Sequence, residues 1–273
     1  MRIVFRDVSF CYNAGLTEER NALRGISLAF EQERCYLITG PCGSGKTTIA
    51  LLLKGLVKPT AGSINIENAE KSRLSFQREI GFTFQFPEEQ FFKDTVEEEV
   101  SFGPVLRCLD NIEERVRDVL NHTGLPYNTF RYNSPFGLSS GEQRKLAIAS
   151  VAVCEPSWYI FDEPTAGLDF EGREKISALI HRLVSEKKTV IIITQELERF
   201  LAVCDEIVVF RKGELVFKEK KDILLEKEDL DEVECILPYH MRVLRELRRK
   251  GWSIPVSIGN SVEAAKVITN YKA

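Results

Sequence analysis

Residues 40–47 restrict this chain more than any other segment. Gly40, Pro41, Cys42, Gly43, Ser44, Gly45, Lys46 and Thr47 fit G-x-x-x-x-G-K-[ST]. On the upstream side, Tyr36–Thr39 reads as a buried strand. Downstream, an apolar-rich helix runs from Thr47 to Leu56 and ends near Gly55. A strand, a glycine-rich turn and a helix in that order turn successive backbone N–H groups inward around phosphate oxygens. The glycines supply the backbone angles, and the helix N-terminus adds its positive dipole end. Lys46 brings a full charge to β- and γ-phosphates, and the Thr47 hydroxyl would ligate Mg²⁺. Thr48 extends the row of N–H donors, and Cys42 contributes its backbone N–H rather than thiol chemistry.

The rest of the chain supplies the scaffold such a loop needs. Ile3, Phe5, Val8 and Phe10 alternate, residues 13–21 form a polar turn, and Ile26, Leu28 and Phe30 alternate again. Residues 62–67 and 80–84 read as short strands. From about Pro87 to Ala152 the apolar spacing turns helical, as in Ile112, Val116, Val119 and Leu120, which marks a helical insertion. From Trp158 strands and helices alternate, with Ile176, Leu179, Ile180, Leu183 and Val184 on one helix face before the strand Val190–Thr194. This pattern predicts an α/β fold with a mostly parallel sheet, an N-terminal antiparallel subdomain and a helical insertion. Beyond about Leu224 the chain turns acidic, then basic and helical over 241–250, and ends in a small Ile- and Val-containing tail. The expected division is 1–225 for the nucleotide-binding domain and 226–273 for a C-terminal extension.

Composition excludes several classes. Lys and Arg number 37 against 41 Asp and Glu, a net charge of −4 that gives no general drive toward nucleic acid. No apolar run approaches the ~18 residues of a membrane span, and no basic-then-apolar leader opens the chain. Seven scattered cysteines without C-x-x-C fit reduced thiols in a cytosolic protein. The three histidines, His122, His181 and His240, have no zinc-site spacing.

A second motif, Trp158-Tyr-Ile-Phe-Asp162-Glu163-Pro164, is an apolar strand ending in two carboxylates. Asp162 would orient Mg²⁺ through its water shell. Glu163 would act as general base toward the attacking water, a role typically contributing ~10²–10⁴ in rate. Between the two motifs, Leu138-Ser139-Ser140-Gly141-Glu142 is a capping box that opens a helix through about Val153. Together these landmarks resemble the ATP-binding-cassette (ABC) ATPases over residues 1 to about 220. Residues 138–142 are similar to the family signature LSGGQ, with Ser140 in place of its first glycine and Glu142 in place of its glutamine. The resemblance implies that Ser139, Ser140, Gly141 and Glu142 face the γ-phosphate held by a second subunit, so that two domains sandwich two ATP molecules. It implies that Tyr12 stacks on adenine, a contact of ~1–3 kcal/mol by analogy with base stacking. It further implies that Gln85 touches Mg²⁺ and water, and that Asp169, in Ala166-Gly-Leu-Asp169, crosses the dimer interface.

Within that family, Phe84-Gln-Phe-Pro-Glu-Glu-Gln-Phe-Phe92 and Arg245-Glu-Leu-Arg-Arg-Lys-Gly-Trp-Ser-Ile-Pro255 resemble the energy-coupling-factor (ECF) ATPases of cobalt and vitamin importers. That likeness implies a second ATPase subunit, a transmembrane scaffold, a substrate-capture membrane protein, no nucleic acid, and a place at the cytoplasmic face of the membrane. It also implies that the C-terminal segment helps hold the ATPase pair together. One departure stands out. After the strand Val190–Ile193 the family places a histidine against the γ-phosphate, and here Gln195 stands there. Glutamine donates a hydrogen bond but cannot take up positive charge. The expectation is therefore a heterodimer with one weakened site built on Glu163 and Gln195. Two rivals remain at this point: a nucleotide-gated subunit with little hydrolysis, and a soluble ABC ATPase outside transport.

Overall fold

The computed structural model describes residues 1–15, 17–68, 76–221, 223, 237–256, 258 and 260–271. Its first strands are Arg2–Tyr12 (β1), Arg20–Glu31 (β2), Cys35–Thr39 (β3) and Ala61–Glu67 (β4). β1 lies between β2 and β4 in a three-stranded antiparallel sheet. The expected alternation in β1 jumps phase between Phe5 and Val8. Asp7 there takes a positive φ of 51°, and the register against both neighbours shifts. This bulge keeps Ile3, Phe5, Val8 and Phe10 all buried. The polar turn is shorter than expected, because β2 begins at Arg20, directly opposite Tyr12.

The second sheet has six strands in the order β5-β6-β7-β3-β8-β9. Its further members are Ile80–Thr83 (β5), Trp158–Asp162 (β6), Thr189–Ile193 (β7), Glu206–Arg211 (β8) and Glu214–Lys220 (β9). All pairings are parallel except β8 with β9. β3, β6 and β7 are buried along their whole length, as expected for near-continuous apolar runs in a sheet covered on both faces. Tyr36, Ile38, Ile160, Ile191 and Ile193 point into a core shared with the first sheet and the helix Lys46–Lys54 (α1). Their neighbours Leu37, Phe161, Val190 and Ile192 point to the opposite core.

That second core is built with the helical insertion, Val96–Leu106 (α2), Ile112–Thr123 (α3), Tyr127–Phe130 (α4) and Ser140–Ala152 (α5), and with Phe170–Ser185 (α6). Val116, Val119 and Leu120 are buried on the expected face of α3. A short helix, Leu197–Phe200 (α7), follows β7. The helix expected over 241–250 is Tyr239–Arg249 (α8), and a further helix, Ser261–Tyr271 (α9), closes the described chain. Leu237 and Met241 join the second core, whereas Leu244, Ile254, Val256, Ile258 and Ala264 form a small core of their own. The acidic stretch after Leu224 and the expected 225/226 boundary lie outside the described residues.

Candidate active site

The carboxyl ends of β3, β6 and β7 meet at one edge of the parallel sheet. β6 pairs Asp162 with Ile193, and β3 pairs Ile38 with the same residue. The loop after β3, the two carboxylates after β6 and the segment after β7 are thereby gathered in one place, where open α/β sheets bind ligands. They line a cleft of about 320 Å³ together with Tyr12, Arg20, Ala22 and Gln85.

Gly40, Gly43 and Gly45 all take positive φ, at 142°, 74° and 102°. A Cβ on Gly40 would stand 2.0 Å from the Phe210 carbonyl oxygen, and one on Gly45 would stand 2.6 Å from Leu23 Cδ2. The loop is therefore pressed against β8 and β2 in a shape other residues cannot adopt. α1 starts from Gly45 with no side-chain cap, so the N–H groups of its first turn are left to a ligand. Lys46 Nζ donates to the Gly40 and Pro41 carbonyls at 2.8 and 2.9 Å, which folds the ammonium along the loop. Burial lowers the Lys46 pKa against the opposing pull of Glu163 and Asp162. Thr47 Oγ1 donates to Asp162 Oδ2 at 2.7 Å. Burial raises the Asp162 pKa, and the Thr47 hydrogen bond and Lys46 act against that rise.

Glu163 is the strained residue of the site, at φ 50°, in a region that typically disfavours a non-glycine residue by ~1–2 kcal/mol. Its N–H donates to Ile193 O at 2.9 Å, and its Oε2 accepts from Thr194 Oγ1 at 3.2 Å. Burial raises its pKa, opposed first by the Thr194 hydrogen bond. Gln195 is exposed and lines the cleft beside these carboxylates. Tyr12 is half-buried in the cleft lining, where its hydroxyl meets Thr48 Oγ1 at 3.1 Å and its ring packs edge-on against Phe10.

The donor set fits a nucleotide with a hard divalent cation. Ser44 Oγ is buried and unpartnered among the described residues, a hydroxyl left over for an oxyanion. The Thr47 hydroxyl and the Asp162 carboxylate form an oxygen-only pair suited to Mg²⁺. Residues 23–166 match the ABC transporter family. The chain is an ABC transporter ATPase. An energy-coupling factor transporter ATP-binding protein (EcfA2) of Staphylococcus epidermidis is 35% identical to it, with 92% of this chain and 91% of that protein covered. The protein of the same description from Thermotoga maritima is 36% identical, with 92% and 93% covered. Among solved structures, cbiO1 of Clostridium perfringens, described as part of the cbiONQ transporter complex, has a TM-score of 0.67 at 31% identity, covering 90% of this chain and 98% of that one. The ATP-binding cassette MJ0796, a dimer bound to ADP and Pi, has a TM-score of 0.71 at 27% identity, covering 80% and 98%.

In this ABC ATPase the remaining expected residues lie away from the cleft lining. Ser139 caps α5: its Oγ accepts from Glu142 N, and its N–H donates to Glu142 Oε2 at 2.8 Å, completing the capping box. Ser140 opens α5, and a Cβ on Gly141 would meet Gly167 O at 3.3 Å, so the signature abuts the loop toward Asp169. Asp169 caps α6 by accepting from Gly172 N at 2.8 Å. Three residues of the ABC site escape the sequence reading. Arg144 donates to Gln85 O at 2.8 Å, tying α5 to the segment that follows β5. Arg20 faces Gly43 from the position opposite Tyr12, a pairing hidden from the sequence because Arg20 reads there as part of the polar turn. Thr194 touches Glu163 and carries no motif signal of its own.

Proposed function

We propose that this ABC ATPase binds and hydrolyses ATP as a subunit of an ECF-type importer, at the cytoplasmic face of the membrane. Its partners in this reading are a second ATPase, a transmembrane scaffold and a substrate-capture protein taking up a vitamin or metal ion. The relatives and the cbiONQ neighbour support that class. The observation that carries the reading is one cleft lined by the glycine loop, the Thr47–Asp162 pair, Glu163 and Gln195.

In this reading Gly40, Pro41, Cys42, Gly43, Ser44, Gly45, Lys46, Thr47 and Thr48 hold the phosphates, and Tyr12 stacks on adenine. Thr47 and Asp162, the latter through water, hold Mg²⁺ with Gln85 nearby. Bound there, Mg²⁺ supplies charge neutralisation at the phosphate oxygens. Glu163 accepts the proton of the attacking water, and burial raises its pKa, the direction that makes it a stronger base. Gln195 donates a hydrogen bond toward the γ-phosphate without the charge of an imidazolium. Ser139, Ser140, Gly141, Glu142 and Asp169 complete the partner's site, and residues 226–273 contribute to the pairing.

Gln195 makes this chain's own site the slower of two in a heterodimer. Full-length protein, alone and with a paralogous ATPase, tests this through ATP turnover. Pairing is expected to raise turnover, and Gln195→His is expected to raise the rate at this site by up to ~10²-fold. A lone chain as fast as the pair, unchanged by Gln195→His, overturns the unequal-site reading. Turnover that stays negligible at this site even in Gln195→His favours a nucleotide-gated subunit instead.

A further inference from the structure

The segment that carries Gln195 holds a second feature, and it bears on Glu163. Thr194 is fully buried at the end of β7. Its Oγ1 accepts the Glu196 N–H at 2.9 Å and donates its single proton to Glu163 Oε2 at 3.2 Å. A hydroxyl has one proton to give, so donation to Oε2 leaves none for a competing acceptor. Glu163 Oε1 has no hydrogen-bond partner among the described residues, and Glu163 lines the cleft, so one carboxylate oxygen is held and the other is left unpaired.

Glu196 in turn is tied down from three sides. Its Oε2 accepts from Thr165 Oγ1 at 3.1 Å, and its carboxylate pairs with Arg173 at 3.3 Å and Arg199 at 3.4 Å. The chain of contacts thus runs from the loop toward Asp169, through Glu196 and Thr194, to Glu163.

We propose that Thr194 is a positioning residue for hydrolysis: it clamps Oε2 of Glu163 through a hydroxyl that Glu196 holds in place, and so aims Oε1 at the attacking water. This rests on the reading of Glu163 as the base. The clamp matters more here than in a site with a histidine at the position of Gln195, because Gln195 supplies no second charged group to steady the reacting atoms. It acts on aim rather than on binding, since Thr194 is not among the residues that line the cleft.

The test is single-turnover hydrolysis of ATP by the full-length protein, with ATP affinity measured in parallel by titration. The bound nucleotide is recovered after acid quench, over hours if necessary, so that slow chemistry is still read. Thr194→Val keeps the volume and removes the hydroxyl. It is expected to slow hydrolysis ~10²-fold while ATP affinity stays within about twofold, so that bound nucleotide is recovered as ATP. Thr194→Ser is expected to restore hydrolysis. If Thr194→Val does not fold, Thr194→Ala is the same test without the branched side chain. Normal hydrolysis in Thr194→Val or Thr194→Ala overturns the proposal. So does a parallel loss of ATP affinity, or failure of Thr194→Ser to rescue. Glu163→Gln separates the two readings. Hydrolysis lost in Glu163→Gln but kept in Thr194→Val overturns only the clamp, whereas hydrolysis kept in Glu163→Gln overturns the base assignment as well.

Discussion

At the scale of single residues, the cleft is a set of charges held where folding alone would not favour them. Asp162 shows the balance. Burial raises its pKa, so the folded chain holds that proton more tightly than the unfolded chain does. For a carboxyl raised in this way, the loss of stability sets in as pH climbs from the ordinary carboxylate value through the raised one, and it is fully present above it. Asp162→Asn keeps an oxygen to accept from Thr47 and removes the buried charge. It is predicted to stabilise the nucleotide-free protein by about 1 kcal/mol near neutral pH. That gain should shrink at acid pH, where Asp162 itself is protonated, and Mg²⁺-dependent turnover should fall. Thermal melts at several pH values read the first effect, and an ATPase assay reads the second. The sequence pointed to Asp162 and Glu163 because an apolar strand ending in two carboxylates is a local pattern. Thr194 and Arg144 were invisible to it, since each acts through a partner about 31 or 59 positions away that only the folded sheet brings near.

At the scale of elements, the site depends on where strands stop and helices start. α5 begins with a reciprocal capping box, and that end of the helix abuts the loop toward Asp169. Ser139→Ala leaves the Glu142 N–H without its cap. It is predicted to lower stability by ~1 kcal/mol, read as a shift in the urea midpoint at unchanged slope. The same substitution is expected to weaken turnover at a partner's site more than at this chain's own. Periodicity located α3 and α6 well because one face of each is buried, and continuous apolar runs located β3, β6 and β7. The apolar pattern located elements poorly in two places. Asp7 adds a bulge to β1 that no apolar pattern announces, although the jump from Phe5 to Val8 is its trace. α9 buries only Ala264 fully, so its sequence carries too little periodic signal to stand out from a tail.

At the scale of the molecule, two cores sit on the two faces of one parallel sheet, and a third small core closes the C-terminal helices. Leu237 and Met241 pack into the main core, which anchors the start of α8 there. The ring of Trp252 stacks on Tyr271 at 4.5 Å and ties the end of α9 to the segment after α8. Among the described residues no helix is long and apolar enough to cross a membrane. In the import reading proposed above, the solute path belongs to other chains, and this ATPase acts by closing and reopening against a partner. The most direct test of that claim is affinity isolation of the full-length protein from detergent-solubilised native membranes, followed by identification of the chains recovered with it. A second ATP-binding subunit and membrane-spanning chains are expected in fixed ratio. Recovery without any membrane-spanning chain, or with nucleic acid in their place, would contradict it.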